Sequence, residues 1–174
     1  MKILEDNWKK IYEEYLYIAD HKFEISKSNS GNALYPDLVE GNYYNIGLYM
    51  DPALDKYLSE EMKSKVDQAL FLGDSCPFTK NLIKTAIPNH GVAAFATLAP
   101  GSSLNRHRHE ESANRIHLGL KVPKGDLGLM VKIDEIDVKK YYWEEGKTFT
   151  FNTGLYHQVW NNTNEERVIL MVDI

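Results

Sequence analysis

Residues 101–120 read Gly-Ser-Ser-Leu-Asn-Arg-His-Arg-His-Glu-Glu-Ser-Ala-Asn-Arg-Ile-His-Leu-Gly-Leu. Because side chains on a β-strand return to the same face every two residues, His107 and His109 would share one face, as would Arg115 and His117. If those faces line the interior of a β-barrel, imidazoles and a guanidinium converge where aliphatic side chains are far less costly to bury. A bound metal ion with an anionic ligand would offset that cost. The stretch therefore predicts a metal site enclosed by β-structure.

The hydrophobic pattern divides the chain near residue 91. Upstream, apolar residues recur at three- and four-residue spacing and predict an amphipathic helix over about residues 4–19. A second helix is predicted to begin at an Asp51-Pro52 cap and to stop at Gly73, and a short third helix to occupy residues 77–85. The apolar stripe of the second helix consists of Leu54, Leu58, Met62 and Val66.

Downstream of Gly91 the pattern changes to short β-rich runs separated by turn sequences. The runs cover residues 91–98, 114–122, 127–133, 147–152, 156–160 and 166–173. Helices followed by many short strands predict an α+β fold, in which N-terminal helices pack on a β-sandwich or barrel that can hold a ligand. We expect one domain over residues 1–174, with residues 1–90 as mainly helical support and residues 91–174 as the core that carries the site.

Composition restricts the class of partner. The chain has 174 residues, a net charge of −5 spread along its length and a single cysteine, Cys76. No basic surface for nucleic acid is evident, and no apolar run approaches the length of a membrane span. With no secretion signal and no possible internal disulfide, the expected location is the cytoplasm. We expect a small-molecule substrate, whereas the oligomeric state is left open.

Two residues near the C-terminus extend the candidate site. His157 lies in the predicted strand over residues 156–160, which follows a tight turn, and Arg167 opens a final strand that is otherwise almost entirely apolar. A guanidinium entering such a strand requires a buried carboxylate, which makes Arg167 a candidate anchor for a dicarboxylic ligand. The alternative is an arginine at a strand end that reaches solvent or Glu165. Any one histidine alone would more often be a core or surface residue.

The residues from Cys76 to Asp173 resemble the aspartyl/asparaginyl β-hydroxylase family of iron- and 2-oxoglutarate-dependent oxygenases. The matching elements, in order, are Cys76-Pro77 with Thr79, Pro100-Gly101 leading to His107, Arg115-x-His117-Leu-Gly-Leu120, Trp143-Glu-Glu-Gly-Lys147, Phe151, His157-x-Val-Trp160, and Arg167 with Asp173. The helix containing Leu4 and Trp8 and the segment Gly47-Leu-Tyr-Met50 are similar to the family's N-terminal part.

The resemblance implies a double-stranded β-helix (jelly-roll, cupin-like) core with the N-terminal helices packed on it. It implies that His107 and His157 bind Fe(II), that Arg115 and His117 help to hold the cosubstrate 2-oxoglutarate near the metal, and that Arg167 pairs with its distal carboxylate. The implied reaction uses O₂ to hydroxylate an aliphatic C–H bond and releases succinate and CO₂. By analogy within the family, the expected substrate is an amino acid or an amino-acid-like molecule, either free, carrier-bound or in a peptide.

Three features depart from the family pattern. His109 stands where many relatives have a carboxylate, so it is a third metal ligand, an outer hydrogen-bond donor or a substrate contact. Ala96 replaces a serine that contacts the cosubstrate in the animal enzyme. The interval from His107, placed at the start of a strand, to Arg115 is about one residue short, which requires a bulge or a tighter turn. The four nearby glutamates are interpreted as solvated; they are Glu110, Glu111, Glu144 and Glu145.

Two other functions remain open. One is a cupin-type dioxygenase or isomerase with a three-histidine metal and no 2-oxoglutarate, which His109 favours. The other is a non-catalytic binding module on the same fold, which His109 and Ala96 both allow.

Overall fold

The computed structural model describes residues 1–19, 38–52, 56 and 58–174. The helices are α1 (Lys2–Asp6), α2 (Trp8–Ile18), α3 (Glu60–Gly73) and α4 (Pro77–Ala86). The predicted first helix is confirmed, although it is interrupted at Asn7, and the third is confirmed within a residue. No described helix is long and apolar enough to cross a bilayer.

Ten strands form two antiparallel five-stranded sheets. They are β1 (Val39–Glu40), β2 (Tyr43–Tyr49), β3 (Ala93–Leu98), β4 (Ser102–His107), β5 (Asn114–Lys121), β6 (Leu127–Lys132), β7 (Val138–Tyr141), β8 (Thr148–Asn152), β9 (His157–Asn161) and β10 (Arg167–Asp173). The first sheet has the order β1-β4-β9-β6-β7, and the second has the order β2-β3-β10-β5-β8.

The pairing of the last eight strands defines the topology. Among these eight strands, β6 and β7 are the middle two and form a hairpin. The strands on either side of the hairpin then pair in turn, β5 with β8, β4 with β9 and β3 with β10. A long hairpin rolled up in this way, with its pairs divided between two sheets, is a jelly roll, or double-stranded β-helix. The predicted α+β fold class with a jelly-roll core is confirmed.

The two faces of the second sheet have different partners. On β10, Val168, Leu170 and Val172 pack in the hydrophobic core beneath the helices, whereas Ile169 and Met171 belong to the core between the sheets. This alternation is the period-two pattern of a strand. Because both faces are buried, the five residues from Val168 to Val172 are all apolar. The polar residues at its ends, Arg167 and Asp173, point to the interior between the sheets.

The N-terminal helices cover the outer face of that sheet. Tyr15 of α2 is 1% exposed, and its hydroxyl lies 2.9 Å from the Thr97 hydroxyl of β3. The Glu14 carboxylate accepts hydrogen bonds from the backbone N–H groups of Phe78 and Thr79 at the start of α4, at 2.9 and 2.8 Å. An acidic side chain here supplies partners for donors that the helix cannot satisfy itself, so it ties α2 to α4.

Several sequence predictions were wrong in detail. Strands β1, β2, β4 and β7 were not predicted, and His107 ends β4 instead of starting a strand. In β2, Ile46 and Leu48 pack under the helices, whereas Asn45 and Gly47 between them line the interior cavity. The sequence therefore carries a short strand alternation that was not recognised. The second helix begins at Glu60 with Ser59 as its cap, because the Ser59 hydroxyl accepts from the Met62 N–H at 3.2 Å. Its end at Gly73 is confirmed, while Leu54 lies outside the described residues.

Candidate metal and anion site

A cavity of about 840 Å³ opens between the two sheets. Every residue proposed for the site from the sequence lies on its wall: His107, His109, Arg115, His117, His157 and Arg167. The first sheet contributes the histidines at its rim, and the second contributes the two arginines and His117. The structure therefore brings together residues from β4, β5, β9 and β10 that are up to 60 positions apart in the chain.

Three histidines form a compact cluster at one end of the cavity. His107 and His157 are directly paired across β4 and β9, and their ring centroids are 4.2 Å apart. His109, just past the end of β4, has its ring 5.4 Å from His107 and 5.6 Å from His157. One nitrogen from each ring lies within 4.8 Å of the others, a spacing that could hold a metal ion. The β4–β9 register shifts between Leu104 and His107, just before the cluster.

Backbone carbonyls orient two of these rings in the same way. The Nδ1 atom of His107 lies 2.7 Å from the Asn105 carbonyl, and that of His157 lies 2.8 Å from the Leu155 carbonyl. A carbonyl oxygen can only accept, so each Nδ1 carries the proton and each Nε2 presents its lone pair. Fixing the far nitrogen in this manner is typical of metal-binding histidines.

The electrostatic environment keeps the cluster neutral. The pKa of His157 is lowered to about 4, mainly by burial. The pKa of His109 is lowered to about 3, mainly by burial and with a contribution from the charge of Arg115. Neutral imidazoles are the form that binds metal ions. Glu110, Glu111, Glu144 and Glu145 are exposed, as expected, and none belongs to the cluster.

Arg115 is engaged with an acidic residue of the next strand. Arg115 and Asp173 are opposite each other on β5 and β10, and the guanidinium donates from Nε at 2.5 Å and from Nη2 at 2.8 Å to the two carboxylate oxygens. This bidentate pair at the cavity wall uses two of the donors of Arg115. A role for Arg115 in binding a ligand therefore has to share the side chain with Asp173.

Arg167 has the opposite character. Its side chain is 1% exposed, and among the described residues its Nε and Nη2 atoms have no hydrogen-bond partner. Burial lowers its pKa to about 10, so the guanidinium is still charged at neutral pH. Its Cζ lies 4.6 Å from the centre of the Trp143 ring. A buried cation that stacks on an aromatic ring and lacks an acidic partner is suited to bind a ligand carboxylate.

His117 lies in an aromatic cluster near Arg167. Its ring centroid is 5.1 Å from that of Phe151 and 5.4 Å from that of Phe149, and its Nδ1 is 3.3 Å from the Trp143 indole nitrogen. Burial lowers the pKa of His117 well below its ordinary value, and the charge of Arg167 adds to that effect. The residue is therefore a neutral imidazole at the cavity wall.

Sequence reasoning did not assign roles to two residues of the site. Trp143 was noted only as part of a motif, although a buried tryptophan near polar residues often binds them through its N–H. Asn45 of β2 is opposite Ala96 in the sheet, lines the cavity, and has a buried Oδ1 without a partner among the described residues. Because β2 was not predicted, nothing in the sequence indicated that Asn45 would lie beside Ala96.

The buried histidines predict a pH dependence of stability. In the unfolded chain His117 and His157 would titrate near pH ~6.5, so below that value the unfolded state binds more protons than the folded state. The free energy of unfolding of the metal-free protein should therefore fall as the pH decreases from about 6.5 towards 4, by up to about 1.4 kcal/mol per pH unit for each histidine. Urea unfolding across this range checks the slope, and a His117→Gln variant should have a shallower one. A flat profile would contradict the buried, neutral state of both residues.

The arrangement combines a metal-binding cluster with a separate cation site. The three histidines, on or beside β4 and β9, offer nitrogen ligands at one place on the cavity wall. Arg167, the first residue of β10, offers buried donors at another. A ligand with two anionic groups could thus contact the metal and the guanidinium at once.

Comparison with known proteins identifies relatives. The ornithine lipid ester-linked acyl 2-hydroxylase of Rhizobium tropici is 35% identical over 100 residues, which cover 57% of this chain and 34% of that protein. The aspartyl/asparaginyl beta-hydroxylase of Mus musculus is 23% identical over 175 residues, which cover 100% of this chain and 21% of that protein. This chain thus spans about a third and about a fifth of the length of these two relatives.

Similar solved structures include cupin-fold proteins. A protein described as a predicted oxalate decarboxylase from Thermotoga maritima aligns with a TM-score of 0.42 and 20% identity, over 78% of this chain and 83% of that one. Recombinant oxalate oxidase in complex with glycolate aligns with a TM-score of 0.39 and 22% identity, over 47% of this chain and 40% of that one. The family model described as Aspartyl/Asparaginyl beta-hydroxylase matches residues 5–174. The chain therefore belongs to the aspartyl/asparaginyl beta-hydroxylase family.

Proposed function

We propose that this protein is an Fe(II)- and 2-oxoglutarate-dependent hydroxylase. The observation that carries the proposal is a buried guanidinium without an acidic partner, Arg167, in the same cavity as a three-histidine cluster. When bound, iron and 2-oxoglutarate would supply the oxidising chemistry that converts a substrate C–H bond and O₂ into C–OH, with succinate and CO₂ as coproducts. The family match supports hydroxylation as the type of reaction.

The histidine cluster fits a first-row divalent metal. His107 and His157 each present Nε2 into the cavity, and His109 supplies a third nitrogen. Imidazole suits iron, copper, nickel and zinc, and three protein ligands leave positions open for a chelating ligand and O₂. Three neutral ligands add no negative charge, so the metal would retain its full positive charge towards an anionic cosubstrate.

Arg167 fits the distal carboxylate of 2-oxoglutarate better than Arg115 does. Arg115 already forms a bidentate pair with Asp173, whereas Nε and Nη2 of Arg167 are buried and unpartnered within the described part of the chain. A carboxylate arriving at Arg167 would satisfy donors that are otherwise left without partners, which is a strong source of binding energy in a dry site.

The substrate region of the cavity has an apolar wall. Helix α3 packs against β2. Its residues Met62, Val66 and Leu70 line the cavity at four-residue spacing and so share one face of the helix, and Leu58, just before the helix, lines the cavity as well. The opposite rim carries the exposed Glu110 and Glu111. These surroundings support a substrate with an aliphatic portion and a polar end, such as an amino acid carrying an acyl or long alkyl group. The name of the Rhizobium tropici relative, which is an acyl 2-hydroxylase, is consistent with that class.

A second candidate function rests on His109. A three-histidine metal is typical of cupin-type dioxygenases that use no 2-oxoglutarate. This candidate leaves the buried charge of Arg167 without an assigned ligand, which is why we place it second.

The deciding experiment is an anaerobic titration of the Fe(II)-loaded protein with 2-oxoglutarate. We expect a weak visible charge-transfer band, produced by chelation of the keto acid, that saturates with added cosubstrate. Metal binding without this band would reject the proposal and favour the cupin-type alternative. With the band established, succinate formation can be screened against free amino acids and against N-acyl amino acids of increasing chain length, and stimulation that grows with chain length supports the aliphatic substrate.

A further inference from the structure

Trp143 lies between the two ligand-facing residues of the second sheet. It is 5% exposed, its indole N–H lies 3.3 Å from Nδ1 of His117, and the two rings are nearly parallel with centroids 5.9 Å apart. The face of the same indole lies against the Arg167 guanidinium, with 4.6 Å between Cζ and the ring centroid. One side chain therefore contacts both Arg167, which the proposed function assigns to the cosubstrate, and His117, which the family resemblance places beside it.

The indole contact fixes the position of the His117 proton. An indole nitrogen can only donate a hydrogen bond, so the Nδ1 atom that it contacts must be the bare, accepting nitrogen. Because His117 is neutral, its single ring proton is on Nε2. His117 lines the cavity, so its remaining polar atom is an N–H donor, the type of group that a carboxylate or keto oxygen requires.

The stacking contact determines how Arg167 can be approached. A guanidinium is planar, its five N–H donors lie in that plane, and an aromatic ring covers its face and not its edges. Because the Arg167 guanidinium lies over the Trp143 ring, the ring closes one side of it and limits the directions from which a carboxylate can reach its donors. The ring also replaces the water that would otherwise solvate the cation.

Close backbone packing places Trp143 in this position. A side chain at Gly119 of β5 would approach the Glu144 carbonyl to 2.3 Å, so only glycine allows the segment that carries Trp143 to cross β5. Gly146 has a φ of 72°, a conformation that favours glycine, and its N–H donates to the Gly119 carbonyl at 2.9 Å. The two glycines thus attach the turn after Trp143 to the strand that carries His117.

We propose that Trp143 is the positioning residue of the cosubstrate site, because it holds His117 as an Nε2–H donor and limits the side from which Arg167 can be approached. The cosubstrate part of this inference rests on the proposed function, whereas the state of His117 does not. The role is distinct from that of a packing residue, because it depends on the indole N–H as well as on the ring.

The test begins with the tautomer. Long-range ¹H–¹⁵N NMR of the full-length, metal-free protein should show His117 with a bare Nδ1 and a protonated Nε2 at neutral pH. In Trp143→Phe, which retains a stacking ring but loses the N–H, we expect a mixture of both tautomers. Trp160→Phe is the matched control, because it removes a different indole N–H that donates to Asp126 at 2.7 Å on the surface. It should leave the His117 signals unchanged.

Binding supplies the second readout. In the Fe(II)-loaded protein, Trp143→Phe should raise the dissociation constant for 2-oxoglutarate by roughly tenfold, as expected for one weakened charge-assisted contact, and Trp160→Phe should not. A wild-type spectrum with the proton on Nδ1 would overturn the inference even if the variant failed to fold. A folded Trp143→Phe protein with the wild-type tautomer and affinity would overturn it as well. Failure of the charge-transfer band in the wild type would reject the proposed function but leave the tautomer result in force.

Discussion

Replacing Arg167 with methionine should abolish 2-oxoglutarate binding without destabilising the protein. Loss of a buried partner for a ligand carboxylate is expected to weaken binding by roughly two to three orders of magnitude. Methionine fills a similar volume, and its introduction removes two buried donors that lack partners among the described residues, so the metal-free variant should be at least as stable as the parent. The charge-transfer titration measures the first effect, and urea unfolding measures the second.

Two variants serve as controls for Arg167→Met. Arg167→Lys keeps the charge but not the planar pair of donors, so it should bind 2-oxoglutarate with intermediate affinity. Arg106→Met removes an exposed arginine that stacks on Tyr156, with 4.4 Å between Cζ and the ring centroid, and it should bind like the wild type. Wild-type affinity in Arg167→Met would show that the dicarboxylate, if bound at all, is anchored elsewhere.

Replacing His157 or His107 with alanine should eliminate both metal binding and substrate-dependent succinate formation. Each side chain supplies an oriented Nε2 from the directly paired strands β4 and β9, and nothing else in the cluster can substitute for it. Inductively coupled plasma analysis after dialysis measures the metal content, and product analysis measures turnover. Substantial activity in both single variants would show that the metal is not bound at this cluster.

His109→Ala separates the two readings of the third histidine. If His109 is a ligand, its loss should lower metal affinity about as much as the loss of His107 does. If His109 is instead an outer donor or a substrate contact, the metal should stay bound and only turnover should fall. His90→Ala is the matched control, because His90 lies outside the cluster. Its ring packs on Tyr49, and the two ring centroids are 4.2 Å apart. That variant should leave the metal content unchanged.

The interior position of several candidate site residues could be predicted from the sequence because strand alternation is a local property. The two-residue spacing of Arg115 and His117, and the placement of Arg167 at the head of an apolar strand, are sufficient to place these side chains towards an interior. The same reasoning failed for His107, whose strand is only partly apolar and whose register is irregular. It also missed β2, in which Ile46 and Leu48 alternate with Asn45 and Gly47 over only a few residues.

Sequence by itself determined the fold class, the division of the chain into N-terminal helices and C-terminal strands, and most of the polar residues that line the interior. Only the tertiary structure decided how these residues are divided among partners: Arg115 with Asp173, Trp143 with both His117 and Arg167, and Asn45 beside Ala96. The reason is that local periodicity indicates the face on which a side chain lies, whereas its neighbour depends on the register between strands distant in the chain. That register is fixed by the packing of the whole jelly roll.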